Sequence, residues 1–405
     1  MIINKVKNIY SWCALLFFNA FVLFVVLNIA VVLDTRYTRL SRVFHFFHSS
    51  EPQDLDPVTK KYGSKLSAAY SAVYPGKSPE VIQALLRETW SRGPALYEAF
   101  TGFKERPYRG KYVNVDENGF RFSKSQASWP PDPKALNIFL FGGSTTFGYG
   151  VSDEETIPSD LQETLRQNLG KPVSVFNFGR GFYYSTQERI LFERLLLGGH
   201  IPRVAIFTDG ISEFFHAVSE LDFIWRFACA FDERPLRTQF VELATRLPLI
   251  RVARTVRCSL GNCAAPGANN TADAVSYDDS RVISETIQRY LANKRMIEAV
   301  AAAYGVTPIF VWQPTPTYKY DDQKYHVFFG PYDEAHRYSR YGYPAMKAFV
   351  DKHPLGENFL WCADIQEGLT EPLYVDQVHY TAKFSRSVAS CIAKQMMDRG
   401  LVSTR

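Results

Sequence analysis

The strongest constraint on this chain is a rhythm in its second half, where short unbroken apolar runs alternate with longer stretches of helical periodicity. The runs are Asn137–Phe141, Val173–Phe178, Val204–Thr208 and Thr307–Trp312, with a shorter one at Asn358–Cys362. An apolar run this short and continuous fits a strand buried on both faces. Between the runs, Ile157–Leu169 reads as a helix stopped by Gly170, and Ser284–Tyr304 as a long amphipathic helix stopped by Gly305. Ser185-Thr186-Gln187-Glu188 has the spacing of a capping box ahead of a helix closed by Gly198-Gly199. A last helix is expected from about Lys383 to Arg399. This alternation predicts an α/β fold: a parallel sheet with helices on both faces. Sites in such folds lie at the carboxyl ends of the strands. Four segments follow strand ends here: Gly142–Thr145, Gly179–Phe182, Asp209–Glu213 and Gln313–Pro316.

The N-terminal part is different. Trp12–Leu33 is an uncharged, almost wholly apolar run, at about 22 residues long enough to cross a bilayer as one helix. Its apolar core is longer than that of a cleaved leader, and Asn28-Ile29-Ala30 is a poor cleavage site. The expectation is one uncleaved transmembrane helix (residues 1–34), contacting the bilayer through residues 12–33, with the large domain outside the cytoplasm. Residues 35–130 read as a helical or irregular connector, with a helix from Pro79 to Tyr97. Residues 131–405 read as the main domain, interrupted by an insertion at about 216–280.

Composition removes some alternatives. A net charge of +5 over 405 residues, with no Lys/Arg cluster interleaved with aromatics, gives no footing to nucleic-acid binding. The six cysteines make no Cys-x-x-Cys pair and have no histidine at ligand spacing, so neither a metal nor another cofactor is expected. Cys258 and Cys263 form a small disulfide in an oxidising space or remain free thiols. Asn269-Asn270-Thr271 is a glycosylation sequon, a pattern that also arises by chance. The Tyr- and His-rich stretch Tyr318–Tyr343 offers rings for stacking on sugars or for plain packing.

Two segments carry chemistry. Ser144 follows a buried strand and two glycines. A serine hydroxyl needs a base to remove its proton and donors to hold the oxyanion it creates. Gly142-Gly143 permits the sharp turn that exposes it. By itself this is a common turn. Asp376-Gln377-Val378-His379 strengthens it: the carboxylate can fix one imidazole nitrogen while the other faces the serine. This pair lies just before the last helix, after all the strands.

Together the segments resemble the SGNH/GDSL hydrolases. The residues that carry the resemblance are GGSTTFGYG at 142–150, NFGRGFYYSTQE at 177–188, DGISEF at 209–214 and VDQVHYT at 375–381. The order and spacing agree over about residues 136–400. The resemblance implies a flavodoxin-like three-layer α/β/α sheet and metal-independent ester hydrolysis. It makes Ser144 the nucleophile and first oxyanion donor, His379 the base and then acid, and Asp376 the residue that orients it. It puts a second donor at the backbone N–H near Gly181, although the spacing from Asn177 serves Phe182 equally. The third donor departs from the family: Ser212 occupies the position of an asparagine. Its hydroxyl is a shorter donor, and Gln313 is a substitute donor or substrate contact. The expected activity is hydrolysis of O-acyl esters, acetyl or lipid, on a polysaccharide or lipid. The alternatives are O-acyl transfer on the same scaffold, or a catalytically silent module that binds glycans or a membrane partner. Substrate and oligomeric state are not legible.

Overall fold

The computed structural model describes residues 2–37, 66–92, 95–217, 247, 250, 276–328 and 336–402. The Cys258/Cys263 loop, the sequon and nearly all of the 216–280 insertion lie outside the described residues.

The central sheet has five parallel strands: β1 (Leu136–Gly142), β2 (Val173–Asn177), β3 (Val204–Asp209), β4 (Thr307–Trp312) and β5 (Phe359–Trp361). Their order is β2-β1-β3-β4-β5, the flavodoxin-like order, in which the order of strand addition reverses between β1 and β3. Among the described residues, five helices flank the sheet: α1 (Ile157–Leu169), α2 (Ser185–Leu197), α3 (Ser280–Tyr304), α4 (Tyr338–Lys352) and α5 (Ala382–Asp398).

Alternation along each strand builds two cores. Ile138 and Leu140 of β1, Val173 and Val175 of β2 and Ile206 of β3 face α1 and α5 through Leu161, Leu165, Val388 and Ile392. Phe139, Phe141, Phe176, Phe207, Phe310 and Trp312 point the other way, against α2, α3 and α4 through Phe192, Tyr290 and Met346. Helix ends follow local rules. Thr156 caps α1 by accepting from Ser159 N–H, Asp279 caps α3, and Thr381 caps α5 by accepting from Phe384 N–H.

The capping box expected at Ser185 does not form. Ser185 is the first helical residue and Tyr184 is the cap. The Ser185 N–H donates to Glu213 Oε1 at 2.6 Å, and Asn293 donates to its hydroxyl at 3.0 Å. Tertiary partners have taken the groups that a local cap would use.

Residues 66–130, read above as a connector, belong to the same compact unit as the sheet, which spans 54–223 and 276–405. They form helices Leu66–Val73 and Pro79–Trp90 and two short antiparallel hairpins. Arg121 ties them to the core. It is fully buried, pairs with Asp153 at 2.8 Å and donates to the carbonyls of Phe147, Gly148 and Val151. A disulfide joins Cys362, after β5, to Cys391 in α5; the cysteine spacing gave no hint of it.

The N-terminal helix, Ile2–Tyr37, has 36 residues. Apart from Asn19 and Asn28, its described side chains are apolar, and they are largely exposed, Phe17 by 79% and Leu16 by 67%. Among the described residues, no helix is long and apolar enough to cross a membrane. The side chains of this helix are described without a break only from Ala14 to Ala30, and the expected crossing by Trp12–Leu33 gains no support from this result.

Candidate active site

Ser144 opens a one-turn helix, Ser144–Phe147, directly after β1. Gly143 precedes it because nothing larger fits: a Cβ there would lie 2.5 Å from Ser212 Oγ and 3.2 Å from the Tyr183 carbonyl. Gly179 is required for a similar reason, since its Cβ would sit 2.4 Å from the Phe147 nitrogen. The turns after β1 and β2 therefore approach one another backbone to backbone, and the turn after β3 meets Gly143 through the Ser212 side chain.

The turn 375–379 brings in the other two groups. Val375 N–H donates to the His379 carbonyl at 2.8 Å, closing a tight turn ahead of α5. Within it, Asp376 Oδ1 accepts from the N–H groups of Val378 (3.0 Å) and His379 (2.9 Å). Asp376 Oδ2 lies 2.6 Å from His379 Nδ1, and His379 Nε2 lies 2.8 Å from Ser144 Oγ. With Nδ1–H donating to the Asp376 carboxylate, Nε2 is the nitrogen that accepts from the serine hydroxyl. Residues 235 positions apart in sequence thus meet at hydrogen-bond distance. Asp376 and His379 are buried, and Ser144 is half-buried.

Burial opposes the Asp376 charge. The charge and hydrogen bond of His379, with the two N–H groups, outweigh it and bring the carboxyl down to about 2. Behind Asp376 stands His326. It is buried, and its Nε2 lies 2.8 Å from the Asp376 carbonyl oxygen. Burial lowers the imidazole to about 4, against which its interactions with Asp376 act. The ring is therefore neutral at pH 7, and Nε2–H donates to that carbonyl.

The remaining expected residues divide. Ser212 stands beside Gly143, on the one-turn helix that follows β3. Gly181 N–H is taken: it donates to Glu105 Oε1 at 3.2 Å. Phe182, the other residue allowed by the spacing, has φ +64°, a left-handed conformation rare for a bulky residue. Gln313, expected as a substitute donor or substrate contact, turns its side-chain oxygen toward neighbouring hydroxyls. It is 1% exposed, beneath the Ser144 turn, and its Oε1 accepts from Thr145 (2.6 Å) and Tyr380 (3.0 Å). The buried Thr145 hydroxyl needs an acceptor and this amide supplies it, while the Tyr380 hydroxyl also has the Pro314 carbonyl at 2.6 Å.

Sequence reading missed an aromatic and charged layer over the imidazole. The Tyr149 ring stacks on His379, with centroids 5.4 Å apart and an interplanar angle of 23°, and Trp90 meets the same ring edge-on at 5.6 Å. It also missed a buried acidic group beside the site. Glu188, Asp209 and Glu213 are each at most 2% exposed. Burial, and then the neighbouring carboxylates, push Glu188 and Asp209 well above the usual range. No cluster of metal-ligating side chains occurs among the described residues.

No protein-family model and no curated protein matches the chain. Solved structures do. One is described as a lipolytic protein of the G-D-S-L family from Desulfitobacterium hafniense DCB-2, at 12% identity over 64% of this chain and 99% of that one, with a TM-score of 0.33. Another is the lipase Lip_vut3 from a goat rumen metagenome, at 11% identity over 64% and 97%, TM-score 0.37. A third is the acetyl xylan esterase AlAXEase, at 12% identity over 64% and 98%, TM-score 0.37.

Proposed function

We propose that the chain is a serine ester hydrolase of the SGNH/GDSL kind, with Ser144 as nucleophile, His379 as general base and then acid, and Asp376 as the group that orients the imidazole. The observation that carries this is the unbroken hydrogen-bond line Asp376–His379–Ser144 at the carboxyl end of β1. In this reading, His379 Nε2 takes the Ser144 proton as Oγ attacks the ester carbonyl. The imidazolium returns that proton to the departing alcohol, leaving an acyl-serine. Water, deprotonated by the same nitrogen, then releases the acid. The Ser144 N–H and the Ser212 hydroxyl are the proposed oxyanion donors. Because Gly181 N–H is engaged by Glu105, the second backbone donor is assigned to Phe182. The proposed substrate class is an O-acyl ester on a polysaccharide or lipid.

The N-terminal helix is proposed as the membrane anchor. Its 36 residues span about 54 Å at 1.5 Å per residue, and its exposed apolar side chains need a nonaqueous cover. An extracytoplasmic catalytic unit fits the Cys362–Cys391 disulfide, a bond that persists in oxidising spaces.

The experiment is labelling of the folded full chain with a fluorophosphonate, followed by peptide mapping and p-nitrophenyl acetate turnover with and without a sugar acceptor. Labelling at Ser144 that is lost in Ser144→Ala supports the reading. Acylated sugar as the main product would reassign the enzyme to acyl transfer. A folded, unlabelled wild type would refute the catalytic account.

A further inference from the structure

The reading above leaves unexplained why a buried ion pair from the N-terminal segment sits beside the triad. Arg92 and Glu105 are 9% and 6% exposed. Arg92 donates to Glu105 Oε2 at 2.8 Å. Glu105 Oε1 accepts twice, from the Tyr149 hydroxyl at 2.9 Å and from the Gly181 N–H at 3.2 Å. Tyr149 is the ring stacked on His379. One carboxylate therefore grips both halves of the candidate centre: the ring under the imidazole, and the peptide just ahead of Phe182.

Burying such a pair is costly, and an apolar pair of similar volume often serves stability as well or better. Its geometry offers what apolar side chains cannot, an acceptor with two directed bonds. We propose that Glu105 is a positioning residue for ester cleavage, fixing the His379 imidazole through Tyr149 and the oxyanion-side turn through Gly181, with Arg92 holding the carboxylate in place. This rests on the hydrolase reading. Small displacements at such a centre are expensive, because reacting atoms must lie within a narrow range of distance and angle.

Glu105→Ala would strand the Arg92 charge and risks unfolding. The test therefore uses three variants: Arg92→Met/Glu105→Leu, which removes both charges; Arg92→Met/Glu105→Gln, which restores a neutral acceptor; and Tyr149→Phe, which cuts only the link to Glu105. Each full-length protein is melted, then assayed for p-nitrophenyl acetate turnover and for the rate of Ser144 labelling by a fluorophosphonate. The Leu double variant should lose about ten- to a hundredfold in kcat and labelling rate, with KM within about threefold of wild type. The Gln double variant should recover most of that loss, and Tyr149→Phe should lose several-fold. If the Leu variant fails to fold, Tyr149→Phe still decides. Wild-type rates in folded variants, a loss confined to KM, or a Gln variant as slow as the Leu variant would each overturn the proposal while leaving the hydrolase reading intact. A wild type that is itself unlabelled and inert removes both.

Discussion

Mild acid should weaken the fold through His326, and by an amount the structure sets. The folded imidazole titrates at about 4, and an unfolded one at about 6.5. A histidine with a depressed folded value contributes stability above its unfolded value and loses it as pH falls toward the folded one. The window is therefore pH 6.5 down to 4. Proton linkage over it gives a loss of about 2 kcal/mol between pH 7 and pH 5, rising to about 3 kcal/mol at pH 4. Glu188 and Asp209 act in the opposite sense, so wild type alone is a poor reporter. The measurement is urea unfolding of wild type and His326→Gln at pH 7 and pH 5. Gln keeps a donor for the Asp376 carbonyl but has no charge to gain. The wild-type loss should exceed the variant's by about 2 kcal/mol. Parallel pH dependence in the two proteins would show that burial of His326 does not set its titration.

Three further outcomes are expected. Ser212→Ala should lower kcat by about tenfold or more, short of the hundred- to thousandfold typical of a well-placed oxyanion donor; steady-state kinetics on a simple acetyl ester reads this. Reducing Cys362–Cys391, which closes a separation of 29 residues, should cost about 3 to 4 kcal/mol and lower the melting temperature by roughly 5 °C, as calorimetry with and without a thiol reductant will show. Burial and the charges of Asp209 and Glu213 push the Glu188 carboxyl well above the usual range, so its contribution to stability is complete at low pH and erodes as pH rises beyond the normal carboxyl value. Glu188→Gln should therefore stabilise the protein more at pH 8 than at pH 5 in thermal melts.

The parts legible in the sequence were those fixed by local pattern. Asn137–Phe141 and Val204–Thr208 announced buried strands because both faces of the sheet are covered, and each was extended in the structure only at its ends. Ser144 and His379 were legible because their turns have little conformational choice. What stayed hidden depends on partners far along the chain. Glu105 meets Gly181 across 76 residues, and no spacing within residues 35–130 marks it. The Ser185–Glu188 pattern misled because Glu213 and Asn293 supply by tertiary contact what a capping box supplies locally. Gln313 was correctly placed at a strand end, but residue type alone could not separate a side chain beneath the site from one within it.

The 235-residue gap bridged by the Ser144–His379 hydrogen bond also sets the timing of competence during synthesis. On the proposed reading, a ribosome-bound chain carries its alcohol long before the matching imidazole is translated, so every shorter length lacks its general base. On that reading, reactivity toward esters waits for His379.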